Sequence, residues 1–450
     1  MKRIRFSTTQ IILLSFLLVI LIGSILLVLP ISSTNGTPVP YIDALFTATT
    51  SCCVTGLVTL PTLSTWSVFG QIVILILIQV GGLGVITVMT GCMLLLNRKL
   101  GIGDRLLIQD SFNLNTMSGL VRFVKNVLFG TLIVEGIGAV LYMLVFVPEF
   151  GAKGIWISVF NSVSAFCNAG IDIVADNSLC NYATNPLINT VTSVLVILGG
   201  LGYIVWWDII RVIKSRSPKN RKIFRHLTLH SKIAVTVTAG LILAGAIFIF
   251  VFEYANPLTI GEMKLFDKIQ VSFFQSVTTR TAGFASVPQE NLTNASAVVS
   301  VILMMIGGSP VGTAGGMKTV TITVLICSAF ATIRNKNSSS LFGRRISDDS
   351  VKKAVAVVVM FFAICVGSMI LILSTSNASV IDAVYETVSA TATVGLSRNL
   401  TATLNAFGKL IIIATMFFGR VGPISLAVAL GRKNESQNVI SEPTEDISIG

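Results

Sequence analysis

Four short segments of this chain share one pattern, which recurs at a nearly constant distance along the sequence. Each has an aromatic residue ten positions before a glycine: FTATTSCCVTGL at 46–57, FNSVSAFCNAGI at 160–171, FFQSVTTRTAGF at 273–284 and YETVSATATVGL at 385–396. The four glycines, Gly56, Gly170, Gly283 and Gly395, are separated by 114, 113 and 112 residues. So constant a spacing indicates four copies of one structural unit.

Composition indicates that these units lie in a membrane. Of 450 residues, 53% are hydrophobic and 12% are charged, and the mean hydropathy is +0.84. The first apolar run, residues 10–30, is too long for a signal-peptide core and lacks a cleavage site, so we expect a retained span. Most of the 32 lysines and arginines lie at residues 2–5, 98–125, 211–232, 334–353 and 432–433. This distribution predicts a multi-pass cell-membrane protein with both termini in the cytoplasm. It also explains the net positive charge of the chain, so that no nucleic-acid partner is needed to account for it.

Each repeated segment lies between two apolar runs and is too short to cross the bilayer. Residues 41–51 would rise only about 16 Å as a helix, against a hydrocarbon core of roughly 30 Å. The segment must therefore enter and leave on one side, as a half-helix with an extended return. We expect Asp43, Asp267 and Asp382 to be N-caps of three half-helices. The predicted fold is all-α and integral to the membrane, with four span, half-helix, span repeats around a central pore: eight full transmembrane helices and four re-entrant pore helices.

The extended returns predict a selectivity filter. Extended backbone at membrane depth is tolerated only where its carbonyls line a pore, and a glycine in each return keeps side chains off the axis. The alternative is that the glycines only allow close helix packing. The predicted filter comprises the four residues that end at each glycine: Cys53, Val54, Thr55 and Gly56; Cys167, Asn168, Ala169 and Gly170; Arg280, Thr281, Ala282 and Gly283; Ala392, Thr393, Val394 and Gly395.

A second glycine motif follows in each unit: GGLG at 81–84, GGLG at 199–202, GGSPVG at 307–312 and GRVGP at 419–423. In the third unit it extends to GGSPVGTAGG, and we expect only this second span to be broken. The twelve apolar residues before it rise about 18 Å, which places the break near mid-membrane. We therefore predict an intramembrane loop that crosses beneath the pore and gates it; a simple kink is the alternative.

These motifs resemble those of the Ktr/Trk/HKT superfamily of potassium transporters, and within it the Ktr-type membrane subunits, over residues 8–431. The most specific likenesses are the four glycines, TTRTAGF at 278–284, GGSPVGTAGGMKT at 307–319 and GRVGP at 419–423. The resemblance implies one pseudo-fourfold pore per chain, with K+ bound at the filter residues. Glycine rather than serine at position 56 implies K+ selectivity. Because the residues beside the four glycines differ, a less selective K+/Na+ channel or a Na+-coupled K+ transporter remains the alternative.

The resemblance also implies partners. Such subunits usually form homodimers, embedded in membrane lipid, on a cytoplasmic ring of Rossmann-type, KtrA-like regulatory subunits that respond to ATP or ADP. The chain has no nucleotide-binding motif of its own, so we assign no cofactor to it and place the nucleotide on the partner. The basic connectors are candidate docking surfaces or lipid contacts. We divide the chain into repeat units at 1–110, 111–222, 223–345 and 346–431, followed by a cytoplasmic tail at 432–450 that we expect to be disordered.

Four charged residues near the predicted pore need separate interpretations. We expect the side chain of Arg280 to turn away from the filter and tie down its loop, with Glu386 as its counter-charge; ion binding is the alternative role for Glu386. By resemblance, Arg420 faces the conduction path beneath the filter. Lys318 either lies near the loop or extends toward the cytoplasm. The predicted gate comprises Gly307, Gly308, Ser309, Pro310, Val311, Gly312, Thr313, Ala314, Gly315, Gly316, Lys318 and Arg420.

Two other classes of protein are disfavoured. A membrane enzyme needs paired carboxylates, a Ser/His set or metal ligands at membrane depth, and we identify none in the spans, since Asp208 stands alone at a span end. The seven scattered cysteines and two histidines favour neither a zinc site nor a disulfide framework. A transporter built from inverted repeats would have broken helices at matching places in two halves, whereas these repeats are parallel. We therefore predict a non-enzymatic potassium translocation subunit.

Overall fold

The structure, a computed structural model, describes residues 7–96, 101–111, 119–214, 223–336 and 338–422. The first unit contains α1 (Thr8–Val28), α2 (Tyr41–Cys52), α3 (Thr62–Thr65), α4 (Val68–Leu83), α5 (Val85–Leu95) and α6 (Ile102–Ser111). The second contains α7 (Leu120–Phe150), α8 (Lys153–Cys167), α9 (Pro186–Leu201) and α10 (Tyr203–Lys214). The basic N-terminal residues 2–5, Pro423 and the tail at 432–450 lie outside the described residues.

The other two units follow the same order. The third contains α11 (Ile223–His226), α12 (Leu229–Glu253), α13 (Leu265–Thr278), α14 (Asn294–Met305) and α15 (Thr319–Ile333), then an antiparallel hairpin of β1 (Ser340–Leu341) and β2 (Arg344–Arg345). The fourth contains α16 (Asp348–Thr375), α17 (Val380–Thr391), α18 (Leu400–Thr403) and α19 (Ala406–Val421). Short 3-10 turns occupy Pro30–Ser32, Cys180–Tyr182 and Gln289–Asn291.

The first span of each unit is long and apolar. These spans, α1, α7, α12 and α16, have 21, 31, 25 and 28 residues and are apolar enough to cross a membrane. At 1.5 Å per residue, the shortest rises about 31 Å, which matches the hydrocarbon core. Large apolar side chains such as Leu18 and Ile25 are more than half exposed on the outer surface of the bundle, as expected where lipid replaces water.

The half-helices α2, α8, α13 and α17 occupy the centre of the bundle. Each packs against the first span of its own unit. The second span of each unit then packs against the half-helix of the next: α4 on α8, α9 on α13, α14 on α17, and α19 back on α2. This cyclic order closes a pseudo-fourfold ring and confirms the predicted all-α fold of four repeats.

The second spans are more broken than the sequence suggested. The prediction of a single break, in the third unit, was wrong: α4 and α5 meet at 97°, and α9 and α10 at 92°. The bends lie at Gly84 and Gly202, the fourth residues of their motifs, with φ of 86° and 85°. Gly422, at the matching place in the fourth unit, has φ 91° and ψ 136°. Only glycine adopts this conformation readily, which explains the recurring fourth residue.

Candidate functional site

The four glycines of the repeats, here called the filter glycines, meet at the centre of the ring. A Cβ atom built on Gly56 would lie 2.5 Å from the carbonyl oxygen of Ala169, and one on Gly170 would lie 2.5 Å from that of Ala282. The order continues around the ring: Gly283 faces the carbonyl of Val394, and Gly395 faces that of Thr55. Each filter glycine therefore abuts the carbonyl preceding the filter glycine of the next unit, and no side chain larger than hydrogen fits.

The backbone before each filter glycine repeats one unusual conformation. The residue two positions earlier has positive φ in every unit: Val54 at 55°, Asn168 at 59°, Thr281 at 62° and Thr393 at 51°. The filter glycines also have positive φ, between 65° and 100°, whereas the residues between them do not. Valine and threonine rarely adopt positive φ, so four in register indicate a conformation that the surrounding structure imposes.

Hydroxyl groups near the end of each half-helix hold this backbone. The amide of Gly56 donates to Thr50 Oγ1 and that of Gly395 to Ser389 Oγ, each at 3.0 Å. In the other two units, Ser164 Oγ donates to the carbonyl of Ile171 at 2.5 Å, and Thr278 Oγ1 to that of Phe284 at 2.6 Å. The sequence analysis missed these four residues. Their signal was visible as a hydroxyl five or six positions before each filter glycine.

The first glycine of the second motif brings the second span against this half-helix end. A methyl group at Gly81 would overlap the carbonyl of Cys52, one at Gly199 that of Phe166, and one at Gly419 that of Thr391. In these three units the first residue of the motif permits contact with the half-helix. The fourth residue makes the bend in the first two units, and Gly422 has the same backbone conformation.

In the third unit, residues 307–316 leave helical form between α14 and α15, as predicted for the intramembrane loop. Its backbone groups are paired with the bend of the second unit. The amide of Ser309 donates to the carbonyl of Gly200 at 2.8 Å, and that of Thr313 to Gly199 at 3.2 Å. The amide of Tyr203 donates to the carbonyl of Val311 at 3.0 Å. Such pairing makes irregular backbone tolerable at membrane depth.

The intramembrane loop also contacts the inner ends of three filter segments. Thr313 Oγ1 lies 3.0 Å from Asn168 Oδ1 and 3.2 Å from the carbonyl of Phe166, in the second unit. In the fourth unit, a methyl group at Gly315 would overlap Thr393 Oγ1. In the third, the Arg280 guanidinium donates to the carbonyl of Gly307 at 2.9 Å. The loop thus packs directly against the ring of predicted filter segments.

Arg420 and Lys318 both bind carbonyls of the intramembrane loop. The Arg420 guanidinium donates to the carbonyl of Thr313 and, at 2.5 Å, to that of Gly81 in α4. Arg420 therefore connects the loop to the first unit. Lys318 Nζ donates to the carbonyl of Ala314 at 2.5 Å, which places it at the loop rather than extended toward the cytoplasm.

Two cavities lie near this site, one at the ring of filter glycines and one at the intramembrane loop. One, of about 250 Å³, is lined by all four filter glycines together with Asp172, Asp176 and Glu290. The other, of about 410 Å³, is lined by loop residues 310–312 and 314–316, Lys318 and Arg420, and by no residue of the predicted filter. The second cavity therefore borders the loop and does not reach the predicted filter.

Comparison with known proteins identifies the family. The TrkH family model, described as a cation transport protein, matches residues 3–442. The chain belongs to the TrkH family of cation transport proteins. It is 38% identical over 451 residues to the Ktr system potassium uptake protein B of Bacillus subtilis, covering 100% of this chain and 98% of that protein. It is 37% identical over 454 residues to the potassium/sodium uptake protein NtpJ of Enterococcus hirae, with coverage of 100% and 98%.

A solved structure agrees with the fold. The crystal structure of the potassium transporter TrkH from Vibrio parahaemolyticus superposes with a TM-score of 0.76 at 16% identity, over 96% of this chain and 86% of that one. Membership of the TrkH family confirms that the chain is a multi-pass membrane cation transporter and not an enzyme, as the sequence analysis predicted.

One of the two predictions about Arg280 was wrong. Glu386 is not the counter-charge of Arg280, because its carboxylate accepts hydrogen bonds from Ser397 Oγ at 2.7 Å and from Thr401 Oγ1. Arg280 instead donates to two backbone carbonyls, those of Gly307 and Thr238. Its side chain therefore does turn away from the ring of filter glycines, as predicted. Carbonyl dipoles replace the expected carboxylate.

The aspartates at the half-helix starts are not N-caps. Asp43, Asp267 and Asp382 lie in the first turns of their helices, whose N-caps are Pro40, Lys264 and Ser379. Their carboxylates still suit the positive end of the helix dipole. Two of them form ion pairs instead, Asp43 with Lys409 at 2.5 Å and Asp382 with Arg398 at 2.7 Å.

The sequence analysis also overlooked a carboxyl group at membrane depth. Glu135 is the sixteenth of the 31 residues of α7 and is 5% exposed. It was hidden within a long apolar run and has no acidic neighbour in the sequence.

Proposed function

We propose that this chain is the ion-translocating subunit of a potassium uptake system, with the sixteen predicted filter residues binding K+ mainly through their carbonyls. The observation that carries the proposal is the closed ring in which each filter glycine faces a carbonyl of the next unit. Rings of carbonyls can replace the hydration shell of K+. The names of the B. subtilis and E. hirae relatives, which include potassium uptake, support the same ion.

One observation favours a second candidate, a Na+-coupled or less selective K+/Na+ pathway. The residues whose carbonyls face the filter glycines differ from unit to unit: Thr55, Ala169, Ala282 and Val394. Non-identical segments weaken the argument for uniform ion coordination. The E. hirae relative is named a potassium/sodium uptake protein.

We further propose that the intramembrane loop is the gate. Its contacts with three predicted filter segments, its place in the lining of the second cavity and its contacts with Arg420 and Lys318 support this role. Glycine-rich backbone has low intrinsic stability, which suits a segment that moves.

A regulatory partner and a homodimer complete the proposal. We expect two protomers, each with its own pore, on a cytoplasmic KtrA-like ring that binds ATP or ADP. The hairpin of β1 and β2 is one candidate contact, because Arg344 and Arg345 are exposed on it. Flux of the purified chain should depend on nucleotide only when the ring is present; an equal response to ATP by the isolated chain would refute this part.

Substitution of the filter glycines tests the central proposal. Gly56→Ser and its three equivalents place a Cβ against a carbonyl of the ring, so sodium should compete better with rubidium-86 in uptake assays. Gly367→Ser in α16 is a matched control, because no atom lies within 4 Å of a Cβ built there. The wild-type chain should also restore growth at low potassium in an uptake-deficient host. Unchanged selectivity in all four filter variants would mean that the glycines serve only packing.

A further inference from the structure

The carboxyl group of Glu135 lies behind the second filter segment and touches it. Its Oε2 accepts a hydrogen bond from Gln79 Nε2 of α4 at 3.2 Å. Its Oε1 lies 3.8 Å from Sγ of Cys167, the first residue of that filter segment. Gln79 Oε1 lies 3.7 Å from the same sulfur. The thiol of Cys167 is therefore held between a carboxyl group and an amide from two different spans.

The backbone of Glu135 is fixed to the half-helix as well. Its carbonyl accepts a hydrogen bond from Ser162 Oγ of α8 at 2.6 Å. On the other side, Cys167 is confined by Gly82, where a Cβ would lie 2.6 Å from its sulfur. Cys167 thus has little freedom, and a change behind it acts on the peptide that joins it to Asn168, whose φ is 59°.

A purely structural role does not explain why a carboxyl group lies in the middle of α7. Among the described residues, the first spans of the other units carry acidic residues only at their ends: Glu253 is the last residue of α12, and Asp348 and Asp349 begin α16. Glu135 makes no ion pair with any residue that the structure describes. An ionisable side chain in mid-membrane is costly, and its retention points to a functional role.

We propose that Glu135 is a positioning residue for ion selectivity, which acts through Cys167 to hold the second filter segment in its ion-binding conformation. This inference rests on the proposed filter. Gln79 completes the arrangement, because it orients the carboxyl group and offers the thiol a second acceptor.

The test measures how much K+ or Na+ is needed to halve rubidium-86 uptake, in the full-length chain reconstituted into liposomes. Glu135→Leu removes one of the two acceptors of the thiol and the acceptor of Gln79 Nε2, so it should lower the preference for K+ over Na+ about two- to tenfold, the range for one net hydrogen bond. Glu135→Gln keeps an acceptor oxygen of similar shape and should retain most of the preference. Cys167→Ala should resemble Glu135→Leu, and the double variant should be no worse than either, as expected for residues that act in series.

Glu253→Gln is the matched control. It alters a buried carboxyl group whose partners, Thr259 and Thr293, lie outside the filter, so selectivity should not change. Wild-type selectivity in Glu135→Leu, additive losses in the double variant, or an equal loss in Glu253→Gln would each overturn the inference. If Glu135→Leu does not fold, Gln79→Leu replaces it, with the same loss expected and the same refutation. A wild-type chain without any preference for K+ would instead refute the proposed filter itself.

Discussion

Replacement of Arg420 by alanine should open the pathway in the absence of any partner. The guanidinium binds the carbonyl of Thr313 in the intramembrane loop and the carbonyls of Gly81 and Gly82 in α4. Only the first of these bonds joins the loop to Arg420. A hydrogen bond to a charged group is worth about 1.5–3 kcal/mol. If the loop is closed in most molecules, its loss shifts the equilibrium toward the open state by roughly ten- to 150-fold, because 1.36 kcal/mol corresponds to a factor of ten.

The assay is rubidium-86 uptake into liposomes that contain the purified chain alone. Arg420→Ala should raise the initial rate by at least about tenfold, and Arg420→Lys, which keeps one charged donor group without the planar fork, should lie between alanine and wild type. Thr415→Val is the control on the same helix, since its hydroxyl contacts Ser368 of α16 and not the loop. An Arg420→Ala protein that elutes as a single folded species yet conducts no faster than wild type would refute the gate.

Three further outcomes are expected. Deletion of residues 311–315 should raise partner-free uptake more than Arg420→Ala does, because it removes the two bonds of Val311 and Thr313 with the bend and the contacts of Thr313 and Gly315 with two predicted filter segments; equal or lower uptake would contradict this. Thr313→Val removes the hydroxyl that faces Asn168 and should raise partner-free uptake about fivefold, the effect of one neutral hydrogen bond. At the filter-side cavity, burial raises the pKa of Asp172 to about 6. Its carboxylate attracts cations above that pH and loses its charge below it, so uptake at low potassium should fall between pH 7 and 5 in wild type but not in Asp172→Asn.

The sequence predicted the repeated parts of this structure best. Four copies of a segment at nearly constant spacing specify where the half-helices lie, and a short apolar segment in a membrane has few permitted paths. The loop at 307–316 was predictable for a related reason, since its glycines and proline disfavour a helix. Local structure can be predicted from sequence alone where a segment recurs, or where its residues exclude a helix.

Contacts between distant segments were not predictable in this way. Glu386 and Arg280 are both close to filter segments in the sequence, yet each finds its partners elsewhere, Glu386 on Thr401 and Arg280 on the carbonyl of Thr238. Carbonyl acceptors carry no sequence signature, because every residue has one. The bends at Gly84 and Gly202 were missed because a GGLG segment without a proline is also compatible with a continuous helix.

The contacts of the intramembrane loop restrict how it can open. Its two ends are held together, since Ile306 pairs with Met317. Residues 309–313, in contrast, pair with the bend at Gly199–Tyr203 of the second unit. Opening must therefore either break these bonds or move the bend, with the end of α9 and the start of α10, together with the loop. Because α10 continues from Tyr203 to the basic connector that begins at Lys214, a force applied to that connector would reach the loop through the bond between Tyr203 and Val311.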